Sequence, residues 1–192
     1  MRRQKDFKPD KEGAGLLARL YITQKQRKSI YKWALYALVL LLLSVVQDVV
    51  LCRVRLWGAT TDLVPCAIIL ICVLEGAEGG AIFALVSSLL YLYSGTAPGP
   101  YCLVFLVIFS LGISIFRQAY LHQGFAATFL CTAAAVMFYE LLLFALGAFL
   151  GSTTLPRIRI FALTGAYTVA LLPLMYPMFR SISKIGGESW KD

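Results

Sequence analysis

The sequence has few charged residues and a single histidine, and each shortage excludes a class of protein. Asp, Glu, Lys and Arg make up 15% of the 192 residues, whereas soluble domains contain about 25%. His122 has no acid or cysteine pattern nearby, so a histidine-based metal site or catalytic base is not expected. The five cysteines form no CxxC pair and are predicted to be small apolar packing residues.

Recognisable catalytic motifs are also missing. No stretch resembles a nucleophile–base pair, a phosphate-binding glycine loop, an HExxH metal site or a nucleotide-binding motif. The sequence therefore predicts a protein that is not an enzyme and that needs no metal or other cofactor.

The net charge of +8 is concentrated at one end of the chain. Ten of the eighteen Lys and Arg residues precede Trp33, directly ahead of the first apolar run. That position predicts a topology signal and contact with anionic lipids rather than nucleic acid. The stretch Leu16–Lys28 is either an amphipathic helix on the headgroups or a disordered basic segment.

Apolar residues make up 59% of the chain, and the mean hydropathy is +0.76. Extended apolar runs fill most of the sequence after residue 33, and the 32 residues before it are too few and too polar to bury a core. We expect an all-α integral membrane protein. Its predicted parts are a basic cytoplasmic leader at 1–32, a transmembrane domain at 33–180 and a short cytoplasmic tail at 181–192.

The apolar runs predict a six-transmembrane-helix bundle. The stretch from Leu63 to Tyr93 is broken by an acidic, glycine-rich segment at 75–80, which predicts a hairpin of two short helices that do not fully cross unless 57–62 extends the first. Pro173 and Pro177 are expected to kink the end of the last helix. The predicted spans are 33–51, the two arms of 63–93, 101–116, 125–150 and 160–179.

The basic residues predict that both termini are cytoplasmic. Six spans place fourteen Lys and Arg inside and four outside, whereas five spans, with 63–93 as one, place twelve inside and six outside. The positive-inside rule favours six. The four outside residues are Arg53, Arg55, Arg157 and Arg159.

Glu140 lies near the middle of the fifth span. A carboxyl group there costs about 2.5–3.5 kcal/mol unless it faces protein or water, so Glu140 is expected to point inward. Two roles stay open. One is a proton or ion relay or a ligand contact; the other, which the scarcity of further deeply buried ionisable groups favours, is a protonated acid hydrogen-bonded between helices.

Three further polar residues are expected near the membrane surfaces. Gln47 and Asp48 lie near the outer end of span one, where they either pair with Arg53 and Arg55 or form an outer-face docking site. Asp62 has the residue type of a helix N-cap.

The segment between spans two and three carries two further acids. Glu75 and Glu78 are predicted to be turn residues in water. Their spacing would also suit a cation, although no third ligand is evident.

Small residues recur at every fourth position in spans three and five. Such stripes let helices approach closely, so these two spans are expected to be central to the bundle. A docking stripe for another membrane protein is the alternative. The residues are Gly80, Ala84 and Ser88 in span three and Ala127, Cys131 and Ala135 in span five.

A series of short motifs, in order over about residues 35–185, resembles the rod shape-determining protein MreD family. Two positions depart from the family pattern: Thr61 stands where the family commonly has Pro, and Tyr91 where it often has an acid. The matching pieces are Gln47; Gly58 followed by Thr61-Asp62-Leu63; Glu75-Gly76 with Gly80; Ser94-Gly95 followed by Gly99, Tyr101 and Leu103; Gly112; Tyr139-Glu140-Leu141; and Leu172-Pro173-Leu174-Met175-Tyr176-Pro177 running into Arg180.

The resemblance implies a scaffold of the bacterial cell-elongation complex in the cytoplasmic membrane. Such a scaffold binds the bitopic protein MreC and helps couple the MreB cytoskeleton to peptidoglycan synthases and cell shape. It also implies a fold similar to the substrate-binding subunits of energy-coupling-factor vitamin transporters. The family's site residues carry over to Asp62, Gly95, Gly99, Tyr139 and Glu140, and no role carries over to Tyr91.

The alternative function is that of such a transporter subunit, with a pocket opening outward between spans one, five and six. A vitamin pocket needs several convergent polar groups. Besides Gln47, Asp48 and Glu140, the sequence offers only scattered Ser, Thr and Tyr residues, so the scaffold is the preferred expectation.

Overall fold

A computed structural model describes residues 24–54, 57–95, 97, 99–120 and 124–186. The six predicted helices are confirmed within these ranges. Short 3-10 turns cover Leu51–Arg53, Leu155–Arg157 and Lys184–Gly186. The helices are α1 (Gln24–Val49), α2 (Leu63–Glu75), α3 (Ala77–Tyr93), α4 (Tyr101–Tyr120), α5 (Phe125–Phe149) and α6 (Ile158–Ser183).

Four of the helices, α1, α4, α5 and α6, are long and apolar enough to cross a membrane. Their outward faces carry large apolar side chains, among them Leu41 on α1 and Phe138 on α5. A lipid environment removes the cost of exposing such residues, so the helices are those of a membrane protein. The 13-residue α2 is about 20 Å long at 1.5 Å per residue, which is shorter than a hydrocarbon core of about 30 Å.

The centre of the bundle is α2, not α3 and α5 as the small-residue stripes suggested. All 13 of its residues are buried, and it packs against each of the other five helices. A helix that is apolar on every side is stable only when it is surrounded. The stripe on α3 serves this packing: a Cβ added to Gly80 would lie 2.9 Å from the Cα of Cys72, and Ala84 and Ser88 are also buried.

The hairpin between α2 and α3 turns at a single residue. Gly76 has φ +90° and ψ 176°, a conformation open essentially to glycine alone, and its amide donates to the Cys72 carbonyl. The predicted break in the 63–93 stretch is therefore confirmed. Residues 57–62 do not lengthen α2, because the backbone is non-helical there and Trp57 and Gly58 both have positive φ.

The first helix starts earlier than the first predicted span. It begins at Gln24, so it includes the last part of the predicted basic leader, and Lys32 is 5% exposed. At the other end, α6 continues through Pro173 and Pro177 to Ser183. Residues 1–23, with most of the Leu16–Lys28 stretch, as well as Arg55, His122 and residues 187–192, lie outside the described ranges.

Candidate polar cavity

A cavity of about 370 Å³ lies where α1 ends and α2 begins. The ends of α1 and α3, the segment before α2, the second half of α5 and the start of α6 all contribute to its wall. It reaches the protein surface, because Cys52 on its rim is exposed. The lining residues are Gln47, Asp48, Cys52, Thr60, Thr61, Asp62, Tyr91, Glu140, Leu143, Ile160, Phe161 and Thr164.

Asp62 is the hub of the polar side of this cavity. Its carboxylate accepts a hydrogen bond of 3.1 Å from Nε2 of Gln47 and one of 2.9 Å from the hydroxyl of Tyr91. Its amide donates to Oγ1 of Thr168 at 3.0 Å. These contacts join the start of α2 to α1, α3 and α6.

Asp62 occupies the N-cap position of α2, but its side chain makes no capping hydrogen bond, so the predicted capping role is wrong. The carboxylate instead faces Gln47 and Tyr91. A residue of another helix takes over the capping, because Oε1 of Gln47 accepts a hydrogen bond of 3.0 Å from the Val64 amide. One of the amides that a helix start leaves unpaired is thereby satisfied from α1.

Glu140 points into the bundle, as predicted, and is 4% exposed. The α6 backbone comes close beside it, since a Cβ added to Gly165 would lie 3.4 Å from Cγ of Glu140. No hydrogen bond joins its carboxyl group to another residue in the described ranges. The expected acid hydrogen-bonded between helices is therefore not what the structure has: the carboxyl group faces the cavity.

Within the described ranges, the charged residues that line the cavity are all acidic. Asp48, Asp62 and Glu140 line the cavity, and no Lys or Arg among the described residues does. The predicted pairing of Asp48 with Arg53 is not formed. Burial raises the pKa of the Asp62 carboxyl to about 6, and the hydrogen bonds from Tyr91 and Gln47 oppose that rise.

At the opposite end of α2, Glu75 is buried, which corrects its assignment to water. Its carboxylate forms an ion pair with Lys32 and accepts a hydrogen bond of 2.7 Å from the hydroxyl of Tyr36. Glu75 is the last residue of the enclosed α2, so the helix carries it into the interior. The neighbouring Glu78 is exposed, as predicted. Lys32 and Tyr36 are four residues apart and therefore lie on one face of α1. In the sequence, this spacing indicates that the two side chains can share a partner.

Three of the candidate residues lie away from the cavity. Gly95, with φ +77°, is in the turn after α3, and Gly99 precedes α4. Tyr139 is fully buried and its hydroxyl contacts Sγ of Cys102. In the part of the chain that the structure describes, no group of three or more His, Cys, Asp or Glu residues is placed to hold a metal ion.

Two residues of the network had not been assigned a role from the sequence. The hydroxyl of Tyr91 donates a hydrogen bond to the Asp62 carboxylate. Thr168 is fully buried on α6 and accepts from the Asp62 amide. Neither contact is visible in the sequence, because Tyr91 and Thr168 are 29 and 106 positions from Asp62.

Comparisons with protein-family models, with curated proteins and with solved structures found no match for this chain.

Proposed function

We propose that this chain is a non-enzymatic membrane scaffold of the bacterial cell-elongation complex, resembling the MreD family. In this role it binds an MreC-like bitopic protein and helps couple the MreB cytoskeleton to the peptidoglycan synthases. The chain lies in the cytoplasmic membrane with both termini inside and its basic leader against anionic lipids. The polar cavity then faces outward, because α1 runs from the inner to the outer surface and ends beside it.

One observation carries the proposal. The residues that the resemblance singles out at Gln47, Asp62 and Glu140 are up to 93 positions apart in sequence, and all three line one cavity. Tyr91, at the position where the family often has an acid, meets the same Asp62. These positions lie on α1, at the start of α2, on α3 and on α5, and their convergence on one cavity supports a shared site.

The mechanism of a scaffold is positional. A partner shifts an assembly equilibrium only if it binds the assembled state more tightly than the separated one. The hydrogen bonds of Gln47, Asp62 and Tyr91 fix the ends of α1, α2 and α3 against one another. That end of the bundle is therefore a defined surface to offer a partner.

The proposal is tested by purifying the full tagged chain in mild detergent from its own cells. An MreC-like protein is expected to copurify, and depletion of the chain is expected to round or widen the cells. The variant Glu78→Gln, which changes an exposed residue, is the control and is expected to copurify the partner as the wild type does. Absence of the partner together with unchanged cell shape would refute the scaffold.

A second function, the substrate-binding subunit of an energy-coupling-factor type transporter, is favoured by one specific observation. The sequence suggested too few polar groups for a pocket, yet the cavity brings polar residues of α1, α3, α5 and α6 together around Asp62. A small molecule that copurifies at one per chain, with no MreC-like protein, would favour this function over the scaffold.

A further inference from the structure

Two polar groups in the cavity wall have no hydrogen-bond partner among the residues that the structure describes. Glu140 is 4% exposed, yet its carboxyl group, which faces the cavity, forms no hydrogen bond or ion pair with another described residue. Oγ1 of Thr61, in the same wall, is buried and also lacks a hydrogen-bond partner among the residues described. Buried polar groups are normally paired, so the unpaired Thr61 hydroxyl, in the same wall as the Glu140 carboxyl group, indicates a place for a ligand.

The charge of the wall decides which ligands are acceptable. Asp48, Asp62 and Glu140 all line the cavity, and the described lining includes no basic residue. A phosphate or a carboxylate would meet like charge, with no cation among the described lining residues to offset it. A group with a positive charge would instead be attracted to several acids at once, and an ammonium or guanidinium group also supplies N–H donors for the unpaired Glu140 oxygens.

The remaining wall sets the size and character of the ligand. Leu143, Ile160 and Phe161 form an apolar part of the lining. A volume of about 370 Å³ is at the lower end of the range for small-molecule pockets. This is too large for a bare metal ion, and no group of metal-ligating residues is placed to hold one in the described ranges. The features together fit a small molecule with one cationic end and one apolar end.

We propose that this cavity binds a small organic cation, with its ammonium or guanidinium group against Glu140 and its apolar group against Leu143, Ile160 and Phe161. The unpaired, buried Glu140 is the observation on which the assignment rests. This binding goes beyond the scaffold function, and for the transporter alternative it names the class of substrate.

The first test uses amines and neutral molecules of the same shape. Phenethylamine, tryptamine and benzylamine are titrated into the purified full chain, with phenethyl alcohol as the uncharged counterpart of the first. At neutral pH these amines are protonated, as a lysine side chain is. At least one amine is expected to bind at millimolar concentration or below and to raise the Tm, and phenethyl alcohol is expected to bind at least about tenfold more weakly, the loss of one charge-assisted hydrogen bond.

The second test changes the protein. Glu140→Gln replaces the carboxyl group with an uncharged amide of similar size and removes no hydrogen bond formed among the described residues, so the fold is expected to persist and amine affinity to fall by about tenfold or more. Glu78→Gln makes the same exchange at an exposed site outside the cavity and is expected to leave amine affinity unchanged. A variant that fails to fold is recognised by its unfolding curve, and Asp48→Asn then serves as the cavity variant.

A third readout locates the ligand. Cys52 is exposed and lines the cavity, while the other four cysteines are buried. The bound amine is expected to slow maleimide labelling of Cys52 in the wild type and not in Glu140→Gln. Equal binding of amine and alcohol, no binding of any amine, or equal effects of Glu140→Gln and Glu78→Gln would each overturn the proposal. These measurements do not use copurification of an MreC-like protein. Failure of the amine proposal is therefore distinguishable from failure of the scaffold proposal.

Discussion

Removing one partner of the buried Lys32–Glu75 pair should destabilise the bundle far more than removing both. Lys32 is 5% exposed and Glu75 is 9% exposed, so neither charge can be solvated by water if its partner is lost. Breaking a buried ion pair from one side costs about 3–5 kcal/mol. Glu75→Gln leaves the Lys32 ammonium buried without a counter-charge, although Gln can still accept the hydrogen bond from Tyr36.

The double variant Lys32→Met with Glu75→Gln removes both charges and keeps an apolar stem in the space of Lys32. Its expected cost is about 1–2 kcal/mol, because replacing a buried pair with neutral groups of similar volume is often close to neutral. The two single costs therefore exceed the double cost when they are summed, and the coupling energy is expected at about 4 kcal/mol or more in magnitude.

The assay is reversible denaturant unfolding of the full chain in mild detergent, followed by helix content. Lys28→Met, an exposed position on the same helix, is the control and should change the unfolding free energy by less than about 0.5 kcal/mol. Single variants that cost no more than this control, or a double variant whose cost equals the sum of the singles, would refute the account of this end of α2.

Three further outcomes are expected. Gln47→Ala, which removes the cap of α2 and a hydrogen bond to Asp62, should lower the unfolding free energy by about 1–3 kcal/mol, and an unchanged denaturation midpoint would contradict the capping. Gly80→Ala places a Cβ 2.9 Å from the Cα of Cys72 and should cost about 1–3 kcal/mol, whereas Gly112→Ala, where nothing lies within 4 Å, should change the Tm little. Burial raises the pKa of Asp62 from 3.8 to about 6. The protonated carboxyl should therefore stabilise the fold fully below about pH 4, and this contribution should be lost as the pH rises through 6. Asp62→Asn should flatten this part of a curve of Tm against pH.

The apolar pattern of the sequence predicts the helices well because membrane spans must satisfy their backbone internally. The predicted start at Leu63, the break at 75–80 and the start at Tyr101 agree with α2, the Gly76 turn and α4. The inward orientation of Glu140 also follows from the sequence, because placing a carboxyl group against lipid has a high free-energy cost.

Side-chain pairings between helices were harder to predict from the sequence than the helices themselves. Glu75 looked like a turn residue because its local composition is that of a turn, and only the enclosure of α2 places it beside Lys32. Likewise, local pattern assigned Asp62 to capping its own helix, whereas Tyr91 lies 29 residues away and meets it through tertiary packing. The early start of α1 was hidden because its first turns are polar and basic.

We propose that the six-helix membrane bundle presents this acidic cavity outward while both chain ends remain in the cytoplasm. The direct measurement is labelling of spheroplasts with a membrane-impermeant maleimide. The exposed native Cys52 reports the cavity, and Lys184→Cys in a Cys52→Ser background reports the end of α6. We expect Cys52 to react in intact spheroplasts and the cysteine at 184 to react only after permeabilisation. Labelling of both from the outside, or of the 184 position alone, would contradict the account.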